Sequence, residues 1–146
     1  MSVRARRQGR EEAFRLLFQS DQGVLDLEVE AHETRVGEEA WAFARELVEG
    51  ALASREELDP VLDRLAVGWS IQRMGAADRA ILRLAAYEVT ARPDTPPSVC
   101  INEAVELAKR YGTDNSARFV NGILGSFVRE RGIVTGGELV EPEQPE

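Results

Sequence analysis

Apolar positions step by three and four along most of this chain, and no run alternates well enough to read as a convincing strand. The spacing predicts a first helix that begins inside an arginine cluster and reaches about Ser20. Ala13, Phe14, Leu16, Leu17 and Phe18 form its apolar face, and Arg6 and Arg10 share a side at i, i+4. Gly23 breaks the pattern, and Leu25, Leu27 and Val29 allow a short acidic segment. Gly37 precedes a helix from Glu38 to about Ser54 that buries Trp41, Ala44, Leu47, Val48, Ala51 and Leu52. Asp59 and Pro60 read as the N-cap and first residue of the next helix, while Ser54 and Glu57 spell a capping box that would start it earlier. Gly68, Trp69 and Ser70 interrupt. Gly75 introduces a strong helix, Ala76 to Ala91, and Pro93, Pro96 and Pro97 stop it.

The stretch Ile101–Leu124 reads as the element around which the rest is organised. Ile101, Ala104, Val105, Leu107 and Ala108 form one apolar face, and Phe119, Val120, Ile123, Leu124, Phe127 and Val128 continue the pattern in a second helix. Ser98 is a candidate cap for the first. Gly112 stands where a left-handed residue would end it, and Thr113, Asp114, Asn115 and Ser116 supply turn and N-cap chemistry. So short a link makes the two helices antiparallel neighbours. Asn102 and Asn121 sit inside helices, where a short amide competes with the backbone, and each is expected to satisfy a backbone group at a helix crossing. Gly122 and Gly125 cost about 1 kcal/mol each relative to alanine, which close approach of a helix or a ligand would explain. The expected class is all-α with about seven helices. Beyond Gly132 the Gly-, Pro- and Glu-rich sequence is expected to be a disordered acidic tail, so that residues 1–131 form one domain.

Charge changes the picture. The 146 residues carry a net −8, yet Arg4, Arg6, Arg7 and Arg10 fall within the first ten with no acid among them. A basic arm on an acidic body suggests a local anion-binding site, and a disordered basic tail is the competing reading. No apolar run approaches the ~18 residues of a membrane span, and no secretory signal opens the chain. The single cysteine, Cys100, rules out an internal disulfide and fits a reducing cytoplasm.

Enzyme readings fail for want of parts. His32 is the only histidine and lies in the acidic segment. Cys100 has no evident base partner and suits a buried apolar position. Neither a phosphate-cradling loop nor a dinucleotide fingerprint is present. No cofactor or metal is expected.

The ordered motifs DRAILRLAAYE (Asp78–Glu88), INEAVELAKRYG (Ile101–Gly112) and FVNG (Phe119–Gly122), behind an arginine-led first helix, resemble the NusB family of transcription antitermination factors. The resemblance extends from about Arg4 to Arg131. It implies two small helix bundles packed across each other. It also implies binding of boxA-type RNA together with NusE, the small-subunit ribosomal protein, and entry into the RNA polymerase antitermination complex, notably on ribosomal RNA operons. The RNA-binding residues it implies are Arg6, Arg7 and Arg10, with Arg4 just outside the motif, and Asn115, Arg118 and Phe119 at the later turn. The partner-binding residues it implies are Phe18 and Asp78. Phe18 stands where tyrosine is common in the family, and Gly9 stands where alanine is usual, which is expected to loosen the arginine helix.

Single-stranded RNA is held by phosphate neutralisation and by stacking of bases on aromatic or guanidinium faces. The arginines and the Arg118–Phe119 pair offer both chemistries, although Phe119 also fits a core position. Two other classes stay open. One is an RNA cytosine methyltransferase with such a domain in front, which this chain is too short to complete. The other is a protein-binding helical adaptor. Oligomeric state, a homodimer included, is left open.

Overall fold

The computed structural model describes residues 1–135 and 138–139, the last four of these by backbone alone. Among the described residues seven helices make up the fold: α1 (Val3–Asp21), α2 (Leu27–Glu33), α3 (Glu38–Ala53), α4 (Arg55–Leu65), α5 (Ala76–Ala91), α6 (Pro97–Tyr111) and α7 (Ser116–Glu130). The all-α expectation therefore holds. One small departure is a ladder in which Val134 pairs with Leu139 and Thr135 with Glu138, in a region expected to lack structure. Of the expected tail, residues 136–137 and 140–146 lie outside the described residues. Among the described residues no helix is long and apolar enough to cross a membrane.

The main packings are α1 on α3 and α6 on α7, and α5 touches both pairs as well as α4. The organising element is thus α5, not the α6–α7 hairpin. Its sequence explains why: Ala80, Ile81, Leu82, Leu84, Ala85, Ala86 and Val89 are all buried, so this helix is apolar around most of its circumference. One continuous core runs from Ala13 to Val128 through it.

Several boundaries differ from the sequence reading, each for a local reason. Ser2 caps α1 by accepting from the Ala5 N–H at 3.0 Å. Helix α4 starts at Arg55 and carries Pro60 inside it, so Asp59 is not its cap. The earlier start puts Leu58 and Leu62 on the same buried face, and Asp59 takes the Arg83 guanidinium instead, at 2.7 Å. Ser98 is not a cap either, because α6 begins at Pro97 with Pro96 in the cap position. Gly112 is not left-handed (φ −93°). It is required for space, since a Cβ there would lie 2.4 Å from the Ser116 side chain. The left-handed stop is Gly132 (φ 63°), where the Gly132 N–H reaches Arg129 O and the Ile133 N–H reaches Val128 O. That pair of bonds closes α7 in a Schellman motif.

The asparagines and glycines of the hairpin also need correcting. Asn102 and Asn121 are exposed rather than buried at a helix crossing. Gly122 faces open space, and Gly125 faces only the Arg129 side chain, so no neighbouring helix within the chain requires them.

Candidate nucleic-acid interface

The helical period sorts the four N-terminal arginines. Arg4 and Arg7 point outward from α1, Arg6 is half-buried and Arg10 is buried at 5% exposure. Arg7 donates from Nε and Nη2 to Glu103 of α6, at 3.2 and 3.0 Å, while remaining largely exposed itself. Arg10 makes a bidentate pair with Glu88 of α5, at 2.8 Å from both Nε and Nη2, and its guanidinium lies 5.5 Å from the Phe43 ring centroid. Burial pulls the Arg10 pKa down, but hydrogen bonds to Glu88 and the charge of that carboxylate leave it above its ordinary value. Arg10 therefore sits beneath the basic face, with its Nε and Nη2 donors committed to Glu88. Below it, burial pushes the Cys100 thiol up to about 12, as befits a cysteine in the core.

Gly9 has the opposite effect to the one expected of it. A Cβ at Gly9 would meet Phe43 Cδ2 at 2.8 Å and the Ala40 carbonyl oxygen at 2.9 Å. The glycine lets α1 press against α3, and that contact fixes the arginine helix rather than loosening it.

The later turn lies next to the same face. Asn115 occupies the N-cap position of α7 without a side-chain capping bond, so its amide is exposed and uncommitted. Arg118 is exposed one turn further on. Phe119 is half-buried and packs against the core, closer to the core reading than to an open stacking surface. Glu11 joins the two regions. It accepts from Arg110 Nη1 at 2.9 Å and from the Tyr111 hydroxyl at 2.5 Å, both at the end of α6 just before the turn. Its pKa is lowered, first by the Tyr111 bond and then by Arg110, against the effect of burial. Tyr111 and Arg110 were missed in the sequence. Tyr111 is 42% exposed and stacks on Phe14 with ring centroids 4.8 Å apart, which gives this surface a better-exposed aromatic than Phe119. The signal was the helical spacing itself: Tyr111 ends an amphipathic helix, beyond its apolar stripe.

Phe18 and Asp78 lie at a second region, where the C-terminal end of α1 meets the start of α5. Arg79 pairs with Asp21 and donates to the carbonyls of Ile71 and Met74, tying the 66–75 loop to both helix ends. Phe18 is 39% exposed, and that loop presents Val67 and Trp69 to solvent. Asp78 sits in the first turn of α5, where the positive helix end favours a carboxylate. Its Oδ1 is buried with no hydrogen-bond partner among the described residues.

The NusB family model matches residues 7–129. The transcription antitermination protein NusB of Heliobacterium modesticaldum is 49% identical over 130 residues, covering 86% of this chain and 63% of that protein. Its counterpart in Symbiobacterium thermophilum is 47% identical over 137 residues, covering 86% and 90%. Among solved structures, T. maritima NusB superposes with a TM-score of 0.79 at 36% identity, covering 86% of this chain and 91% of that one. The crystal structure of antitermination factors NusB and NusE in complex with dsRNA gives 0.76 at 27% identity, covering 86% and 97%. With the family model spanning most of its length and relatives this similar across 86% of it, the chain belongs to the NusB family.

Proposed function

We propose that this chain is a cytoplasmic transcription antitermination factor. It binds boxA-type RNA together with NusE and joins the RNA polymerase antitermination complex, notably on ribosomal RNA operons. The antitermination relatives and the neighbouring structure of NusB and NusE with dsRNA support the reading. The observation that carries it is the basic face of α1 joined through Glu11 to the turn before α7. Arg4, Arg6 and Arg7 neutralise phosphates there, Arg118 stacks or makes a forked contact, and Asn115 offers both a donor and an acceptor to a base. Phe119 supports that turn from the core side. Arg10 acts through position, holding α1 in place beneath the contact face. Phe18 and Asp78 form the partner surface, an aromatic anchor beside a charge that complements a basic ribosomal protein.

Anisotropy titrations of labelled single-stranded boxA RNA, its duplex and a scrambled strand, with and without NusE, test this reading. The single strand with NusE is expected to bind tightest. Replacing Arg4 and Arg7 with alanine should flatten the log–log salt dependence by about 1.4, two contacts at ~0.7 each. An unchanged slope would remove the arm from the interface. Asp78→Lys should weaken NusE binding and leave melting nearly unchanged, whereas wild-type partner affinity in that variant would reduce Asp78 to a helix-end residue.

A further inference from the structure

Arg6 and Arg7 border a groove of about 610 Å³ between α1 and α6, and the Thr95–Pro96 corner that precedes α6 also lines it. The polar groups of this groove are unequally committed. Arg10 belongs to Glu88, Arg7 to Glu103 and Arg110 to Glu11, while the acid on the α6 rim, Glu106, pairs with Lys109. Two buried atoms among the lining residues have no hydrogen-bond partner among the described residues: Nε of Arg6 and Oγ1 of Thr95. Thr95 is 3% exposed, and it also borders a shallower depression beside Pro93 and Arg131. A buried hydroxyl without a partner carries a desolvation cost that nothing among the described residues offsets.

The chemistry around those two atoms is that of an anion seat. Both can donate, and arginine can only donate. Helix α6 begins at Pro97, 15 residues long, with no side chain capping it, so the positive end of its dipole faces the corner uncompensated. Asn102 is exposed on the same groove. It lies five residues beyond Pro97, about 7.5 Å along the helix axis at ~1.5 Å per residue. That is the scale on which a nucleotide's base stands away from its phosphate, and an amide can read a base edge with a donor and an acceptor.

We propose that the Thr95 corner seats one phosphodiester group of the bound RNA, with Arg6 Nε and the Thr95 hydroxyl donating to its oxygens. Asn102 then faces the base of that nucleotide. Both donors are screened from solvent in the free chain, and the seat forms as Arg6 turns onto the incoming phosphate. The proposal rests on the RNA-binding reading above and adds Thr95 and Asn102 to the contact surface.

Thr95→Val tests it in the full chain, because valine keeps the shape and removes only the hydroxyl. The variant is expected to melt no lower than wild type, since the hydroxyl it loses has no partner in the free chain. It is expected to bind boxA RNA about tenfold more weakly, the effect of one charge-assisted hydrogen bond. Wild-type affinity in Thr95→Val overturns the seat while leaving the functional reading intact. A lower melting temperature with a matching loss on every ligand also overturns it, because the hydroxyl would then be structural. A parallel titration with inorganic phosphate, followed at the Thr95 amide by NMR, separates the ligand sources. Saturation at millimolar phosphate, with no RNA penalty in the variant, would assign the corner to the free anion and overturn the RNA seat. If wild-type protein binds no RNA in any arm, the functional reading and this proposal fall together.

Discussion

Arg7 and Arg10 stand one turn apart on α1, each bound to a glutamate from another helix, and their situations are opposite. Arg10–Glu88 is closed, with side-chain exposures of 6% and 2%, whereas Arg7 is 65% exposed over a Glu103 that is 16% exposed. In the first pair both ions have left water, and apart from the Phe43 ring over which Arg10 lies, each is stabilised by the other's presence. In the second, solvent screens the attraction and leaves the arginine free to exchange a carboxylate for a phosphate. A run of arginines is thus two devices. One fastens the helix to the core, and the other, held on the surface by the first, stands open to solvent.

The largest expected effect comes from breaking the closed pair. Glu88→Ala should destabilise the protein by about 3–5 kcal/mol, because it strands a buried guanidinium. The paired replacement Arg10→Met with Glu88→Leu should recover most of that loss in denaturant titrations. If the single variant costs no more than a surface substitution, Arg10 is not fastened by Glu88. Cys100 offers a second readout. With its pKa raised to about 12 by burial, the thiol stays protonated at pH 8 in the native protein. A disulfide reagent should leave it intact in wild type and modify it in Glu88→Ala, where the core around it opens.

Gly9→Ala should have an intermediate effect. Alanine favours the helix by about 1 kcal/mol, but the Cβ meets the Ala40 carbonyl, which cannot rotate away. Overpacking of ~1–3 kcal/mol should leave the variant less stable on balance, and a gain in melting temperature would refute the close-contact account. The smallest effect belongs to the open pair. Glu103→Gln should alter stability by less than about 0.5 kcal/mol. It should also tighten RNA binding several-fold with little change in salt slope, because Arg7 then reaches its phosphate without first giving up a carboxylate. Unchanged RNA binding would mean that Glu103 and phosphate do not compete for Arg7.

The secondary structure was largely legible because it is written locally. Gly75 and the prolines at 93, 96 and 97 bound α5 and α6 as the sequence predicts, and helical periodicity placed Leu47, Ile81 and Val120 in the core. Local signals misled where a pairing or packing partner outbid them. Asp59 and Pro60 imitate a helix start, but Arg83, 24 residues on, claims the aspartate. Gly112 imitates a left-handed stop, yet Ser116 needs its space.

The same division runs through the candidate site. That a helix begins inside the arginine cluster is read from the sequence, against a disordered tail as the competing reading; that Arg4, Arg6, Arg7 and Arg10 all lie on α1 is seen in the structure. Which of them stays open to solvent does not follow, because it depends on Glu88 and Glu103, residues 78 and 96 positions away along the chain. Only the packing of α1 on α3 and α5, with the side-chain pair that reaches across to α6, could decide it. Helix formation is governed by neighbours within a turn or two. The burial of a charge is governed by whatever the fold brings against it, and by whether an opposite charge arrives with it.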